Sequence, residues 1–292
     1  MSNNWFILAL ASAVFSAAAA LLQKIVLRKI DAVSFSLFIS IANLILISLF
    51  WLPRGTSIPL EAEAIIILTI KVIISAIAFL CVMISIENFE LSSVLPVLIF
   101  TPALVAIVAF VFLGESLNVK EITGMSFALL GVYILETKEK NLLIPFKRLV
   151  VESKSKYILY ALLLFTISSV LDKTLIGKFK VKPFDFLMFQ QVFALPVFAF
   201  IFFFRKNKKE LNKSGFKNTV LLILEISVLT LLYRYFYVSA IQSGAVALAL
   251  SVKRFSVFFA VAASGKILKE KNIPRKLIAT FFLIAGSYLL LV

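Results

Sequence analysis

Residues 65 to 86, IIILTIKVIISAIAFLCVMISI, carry one charged side chain, Lys71, in twenty-two positions. A run of that length and uniformity has few ways to fold. At about 1.5 Å of rise per residue, roughly 20 apolar residues cross a hydrocarbon layer about 30 Å thick. No water is present there to satisfy backbone groups, so the run must be helical. Barrel strands would be shorter and would alternate polar with apolar residues. Ten such segments occur, near residues 5 to 27, 34 to 52, 65 to 86, 93 to 113, 121 to 136, 157 to 175, 184 to 204, 218 to 239, 246 to 264 and 277 to 292. The fifth and tenth are the shortest. With 62% hydrophobic residues over 292 positions, the chain reads as an all-α integral membrane protein. The start, MSNN, lacks the basic stretch of a signal peptide, so the first segment is expected to be a membrane helix.

The sequence repeats itself. GESLNVKEITGMSFALLGVYIL (114 to 135) matches KEKNIPRKLIATFFLIAGSYLL (269 to 290), aligning Glu115 with Glu270, Gly131 with Gly286 and Tyr133 with Tyr288. Likewise LLQKIVLRKIDAVSFSLF (21 to 38) lines up with VLDKTLIGKFKVKPFDFL (170 to 187), pairing Lys24 with Lys173 and Phe35 with Phe184. Each half holds five segments, and because five is odd the second half enters the membrane from the opposite side. The expected architecture is ten transmembrane helices as two inverted-topology five-helix repeats around a central cavity, a plan many secondary transporters share. Residues 1–136 form the first repeat, the charged stretch 137–156 an interfacial linker, and 157–292 the second repeat.

Composition removes several functions. The net charge is +15, but the basic residues lie mostly between apolar segments, which points to anionic lipid headgroups and away from nucleic acid. There is no histidine, the side chain most used for proton shuttling and metal ligation near neutral pH. The single cysteine, Cys81, excludes an intrachain disulfide. No phosphate-binding glycine loop of the nucleotide-hydrolase kind is present. Neither an enzyme nor a cofactor is expected. By the excess of Lys and Arg in RKNKKELNKSGFK (205 to 217), GKILKEKNIPRK (265 to 276) and the other loops of that side, those loops are cytoplasmic and both termini external.

The chemistry lies in charges placed within the spans. A charge at the bilayer centre costs about 2.5 to 3.5 kcal/mol on insertion scales, so it needs a partner or a wet cavity. Lys253 and Arg254 stand side by side in the ninth segment. At helical spacing Lys253 shares a face with Ala249, Ser256, Ala260 and Ser264, a small and weakly polar stripe unsuited to lipid; Arg254 is rotated from it by about 100°. In the eighth segment Ser227, Thr230, Arg234 and Tyr237 form a second polar face, with Tyr233 and Tyr235 beside it. A guanidinium offers a planar donor fork for carboxylate or phosphate, and tyrosines can wall the apolar part of a ligand. Gln190 and Gln191 in the seventh segment, Ser36, Ser40 and Asn43 in the second, and Ser12, Ser16 and Gln23 in the first add further polar stripes. Glu225 is nine positions from Arg234 and so on the opposite face of its helix. Lys24, Lys71 and Lys173 lie near enough to helix ends to snorkel, and Pro96 and Pro102 in the fourth segment permit a kink.

FLGE and ILKE, ending the fourth and ninth segments at Glu115 and Glu270, and LLG and IAG in the fifth and tenth, resemble EamA-type transporters of the drug/metabolite transporter superfamily across both halves. The resemblance implies that helices 1 to 4 and 6 to 9 ring the central site and that helices 5 and 10 stand outside. It implies a metabolite or drug as substrate, the cytoplasmic membrane of a prokaryote as location, and both termini in the cytoplasm. The Lys253–Arg254 pair is also similar to the pair with which plastid sugar-phosphate translocators hold phosphate. Where those relatives have a lysine in the first half, this chain has Thr101, which argues against sugar-phosphate exchange. The expected function is secondary-active or facilitative transport of an anionic or zwitterionic metabolite by alternating access. The alternatives are an exporter of hydrophobic cations or drugs and a non-transporting membrane scaffold. The expected partners are the substrate and the lipid bilayer, with a monomer compatible with the pattern.

Overall fold

A computed structural model of the protein describes residues 4–52, 61–101, 104, 119–136, 156–177, 179, 181, 183–205, 216–243 and 246–289. Among the described residues ten α-helices follow one another: α1 (Asn4–Leu27), α2 (Ala32–Trp51), α3 (Ala62–Asn88), α4 (Leu91–Val97), α5 (Val119–Glu136), α6 (Lys156–Gly177), α7 (Pro183–Phe204), α8 (Phe216–Ser243), α9 (Val246–Ile267) and α10 (Ile273–Leu289). Each overlaps one apolar segment of the sequence, and most of the fourth segment, 93 to 113, lies outside the described residues. By length and composition five of them, α1, α2, α3, α7 and α8, are able to cross a membrane, fewer than the ten crossings expected. The short α5 and α10 have 18 and 17 residues. Within α4, Pro96 removes a backbone donor, and the helix passes into a 3-10 turn at Leu98–Phe100, the kind of break a proline produces. Glu115, Pro102 and the linker up to residue 155 lie outside the described residues.

Four of the helix contacts among the described residues follow the repeat. α1 packs on α8 as α6 packs on α3, while α2 packs on α7 and α5 on α10. Close approach comes from small residues. Ala9, Ala13, Ala17 and Ala20 recur along one side of α1, and all are buried, so that side meets its neighbours nearly backbone to backbone. Between α5 and α10 the same role falls to Gly131. A β-carbon there would stand 2.5 Å from the Leu283 side chain and 2.9 Å from the Ala279 carbonyl oxygen. The outward faces are apolar: Leu49, Ile66, Phe203 and Phe204 are all at least 60% exposed, which suits acyl chains rather than water.

One end of the bundle is tied by charge. Asp31 caps α2, accepting the N–H groups of Val33 and Ser34 at 3.1 and 3.0 Å, and pairs with Arg205 at the end of α7. Burial opposes its charge, but the Ser34 donors and the Arg205 guanidinium outweigh burial and hold the carboxyl below its ordinary value. A depressed carboxyl adds stability above its unfolded-state pKa and loses it as pH falls through the folded one. Acidification below the ordinary carboxylate range should therefore lower the thermal midpoint in detergent, and Asp31→Asn should lower the midpoint at pH 7, through a loss of about 1 kcal/mol of stability, and flatten that acid dependence. In the same assay Gly131→Ala should cost about 1–3 kcal/mol by overpacking α5 against α10.

Candidate functional site

α1, α8 and α9 meet around Tyr233 and Tyr237. The hydroxyl of Ser12 donates to the Tyr233 carbonyl at 2.7 Å, and Ala9 packs on Ala240 with Val252 alongside. This contact brings the polar face of α9 onto the aromatic face of α8. The Lys253 Nζ sits 3.6 Å from the centre of the Tyr237 ring and 5.7 Å from that of Tyr233. The Arg234 guanidinium carbon is 6.0 Å from the same Tyr233 ring, and its Nε reaches the Tyr233 hydroxyl at 3.5 Å. Two cations thus share one tyrosine. The ring faces carry the negative end of the aromatic quadrupole, so they lower the cost of holding cations away from water without neutralising them.

Lys253 and Arg254 do not form one fork. Their 100° separation sends Arg254 to the kink of α4, where its guanidinium donates to the Leu98 carbonyl at 3.4 Å. The hydroxyl of Thr101 donates to that same carbonyl at 2.7 Å. The structure therefore places Thr101 beside Arg254 rather than beside Lys253. The Arg254 Nε is buried with no hydrogen-bond partner among the described residues, an uncommon state for a donor inside a protein.

The remaining expected site residues are spread more widely. Asn43 accepts the Ser227 hydroxyl at 2.6 Å and so fastens α2 to α8. Gln190 and Gln191 are buried on α7, and Ser256 is half-buried one turn from Lys253. Gln23 is buried too, but it lies eleven residues beyond Ser12 on α1, about 16 Å along the helix, and does not join the tyrosine cluster. Glu225 is exposed on the far side of α8, in an apolar groove of about 540 Å³ lined by Leu22, Leu46, Leu224, Val228 and Leu229. A neighbouring groove of about 230 Å³ runs between α2 and α8. These hollows open on the flank and leave Glu225 remote from the cations.

Two lysines expected to snorkel do not. Lys24 is buried and donates to the carbonyls of Ile86 and Phe89, the latter at 2.6 Å, where the end of α3 leaves backbone acceptors unfilled. Lys71 is buried with its Nζ 4.5 Å from the centre of the Phe186 ring. The side chain of Lys173 lies outside the described residues. Sequence reasoning also gave no role to Ser92 and Lys276, which gather around Glu270. The Glu270 carboxylate accepts the N–H groups of Leu91 and Ser92 at 2.8 and 3.0 Å and the Ser92 hydroxyl. Burial opposes its charge, and those donors outweigh burial to hold the carboxyl below its usual range. Its alignment with Glu115 in the repeat was the available signal.

The profile of the EamA-like transporter family matches the chain twice, over residues 3–137 and 155–292. Chains of solved structures also match, 25 in number. One, a crystal structure described only as that of a protein, has 11% sequence identity and a TM-score of 0.65, covering 99% of this chain and 96% of its own. At that identity the likeness concerns the fold alone. No curated protein matches the chain.

The tyrosine cluster makes a testable statement about Lys253. Tyr237→Phe keeps the ring face and should leave the thermal midpoint nearly unchanged, whereas Tyr237→Leu should cost about 2 kcal/mol, the scale of a desolvated cation–π contact. Adding Lys253→Met to Tyr237→Leu should recover part of that loss, read as a double-mutant cycle.

Proposed function

The chain belongs to the EamA-like transporter family, and from that premise we propose that it carries a small anionic or zwitterionic metabolite, such as an amino acid, an organic acid or a phosphorylated compound, across the cytoplasmic membrane of a prokaryote. Family membership speaks for a transporter and against an enzyme. The observation that carries the substrate class is the pairing of Lys253 and Arg234 on Tyr233. Arg234 and Arg254 meet no carboxylate among the described residues, and a ligand carboxylate or phosphate is the natural counter-charge. Tyr233 and Tyr237 would flank the ligand's apolar part, and Arg254 with Thr101 would extend the polar wall toward α4. Gln190, Gln191, Asn43 and Ser256 supply neutral donors and acceptors for fit. Transport follows from the repeat: the halves rock about the site and expose it to each side in turn.

Export of hydrophobic cations is the weaker reading. A cation would compete for ring faces that Lys253 already covers, and it would enter a region of like charge. A non-transporting scaffold would not depend on the charge of Lys253 or Arg234. In proteoliposomes offered labelled amino acids, organic acids, phosphorylated compounds and organic cations, the anionic or zwitterionic class should show saturable uptake. Lys253→Ala and Arg234→Ala should each lower that uptake about 10- to 100-fold, the value of one charge-assisted hydrogen bond, while eluting as folded monodisperse protein. Uptake of cations alone, or full flux in both variants, would refute the proposal.

A further inference from the structure

The end of the bundle where α1 finishes is crossed by polar contacts from one half to the other. From the first half come Arg28 at the end of α1, Asp31 before α2, and Glu90 with Ser92 at the start of α4. From the second half come Arg205 after α7, the connection from α9 to α10 with Leu268 and Glu270, and Lys276 in α10. Glu270 binds the start of α4 through three donors, two of them the N–H groups of Leu91 and Ser92. The Ser92 hydroxyl, which donates to Glu270, also accepts from the Lys276 ammonium at 2.6 Å, and Lys276 pairs in addition with Glu90. Arg28 reaches the Leu268 carbonyl at 3.4 Å, and Asp31 with Arg205 closes the neighbouring gap. Ser92 and Lys276 are buried, so water does not compete freely with the bond between them.

We propose that the Glu270–Ser92–Lys276 cluster is the latch that holds this end of the transporter shut, with Glu270 as its positioning residue. The inference rests on the alternating-access reading above and adds to it a closed end and the residues that close it. Opening this end separates the halves here, and every contact just named spans that seam. Glu270 has the largest share, because one carboxylate accepts three donors on α4 while its neighbour Lys276 ties α10 to the same serine. The latch also reaches the tyrosine cluster through the chain itself. α4 packs chiefly on α9 and α10, and six residues beyond Ser92 its Leu98 carbonyl receives Arg254. The clasp at one end of α4 and a cation of the candidate site at the other are therefore parts of one short segment. A ligand anion that draws Arg254 away from Leu98 would loosen the same helix that Glu270 holds.

The test reads the exposure of the site without needing its substrate. In a Cys81→Ala background a thiol is placed at Ser256→Cys, and its labelling by a membrane-impermeant methanethiosulfonate is timed separately from each side of sealed vesicles. Glu270→Gln, which keeps the shape and removes the charge, should speed labelling from the latch side about tenfold or more, the population shift expected when one strong contact is lost. Labelling from the opposite side should slow or stay constant. Ser92→Ala, which leaves the backbone donors in place, should give a smaller change of the same sign, and Glu270→Asp should restore most of the parental rate. A merely structural role would raise labelling from both sides. Parental labelling rates in folded Glu270→Gln and Ser92→Ala, or a rise from both sides, would overturn the latch. Absence of anion uptake by the unmodified protein, with side-specific labelling retained, would instead strike the substrate reading and leave the latch standing.

Discussion

Charge inside a hydrocarbon layer has to be met by the protein, and the way this chain meets it organises the rest of the structure. Lys253 rests on the face of Tyr237, Lys71 on the face of Phe186, Lys24 on the last carbonyls of α3, and Arg254 on a carbonyl at the kink of α4. Ring faces and carbonyl oxygens are partial charges. They lower the cost of burying a cation. Carboxylates take part at the end of the bundle, near Lys24, where Asp31 pairs with Arg205, Glu90 with Lys276, and Glu270 accepts from the start of α4. The bundle thus separates two electrostatic tasks. Among the described residues Arg234 and Arg254 in the spans meet a ring face and a carbonyl, whereas ion pairs cross the end of the bundle.

That separation fits a molecule with two arrangements of its halves. Ser12, beside the tyrosine cluster, and Lys24, beside the clasped end, are twelve residues apart on α1, about 18 Å at helical rise. α1 is a stiff rod between them, with an alanine side that lets α8 and α9 approach closely. α4 is different: seven helical residues, an internal proline and a 3-10 turn. A broken helix adjusts at lower cost than a continuous one, and broken helices are where transporters place ligand contacts, because freed backbone groups there can face a cavity. Here the break presents the Leu98 carbonyl, which Arg254 and Thr101 both use.

Much of the fold was legible because hydrocarbon imposes a simple rule. Each of the ten apolar segments overlaps a described helix, and the packing matches the internal repeat, since the α1–α8 and α3–α6 pairs are copies of one contact. The number of crossings was less secure: α5 and α10 are short, and length with composition supports five spans. At the candidate site, periodicity set Glu225 opposite Arg234, and Glu225 is exposed in a groove on the flank. Periodicity could not say what those faces meet. The grouping of Lys253 with Arg254 followed from adjacency in the chain, whereas a 100° turn sends them to different helices. Lys24 and Lys71 were judged by their depth alone, but the acceptors that bury them, Ile86, Phe89 and Phe186, come from other helices and leave no mark near the lysines. Gln23 was grouped by polarity, and its position along α1 removes it from the cluster.

The central proposal is that Arg234 and Lys253, gathered on Tyr233, bind the anionic group of a ligand. A thermal-shift screen of the purified protein against amino acids, organic acids, phosphorylated metabolites and organic cations tests it most directly, since a ligand that binds only the folded state raises the midpoint. The account expects a concentration-dependent rise with one or more anionic or zwitterionic compounds that is lost in Lys253→Ala. A rise confined to organic cations, or one that survives removal of both Lys253 and Arg234, would contradict it.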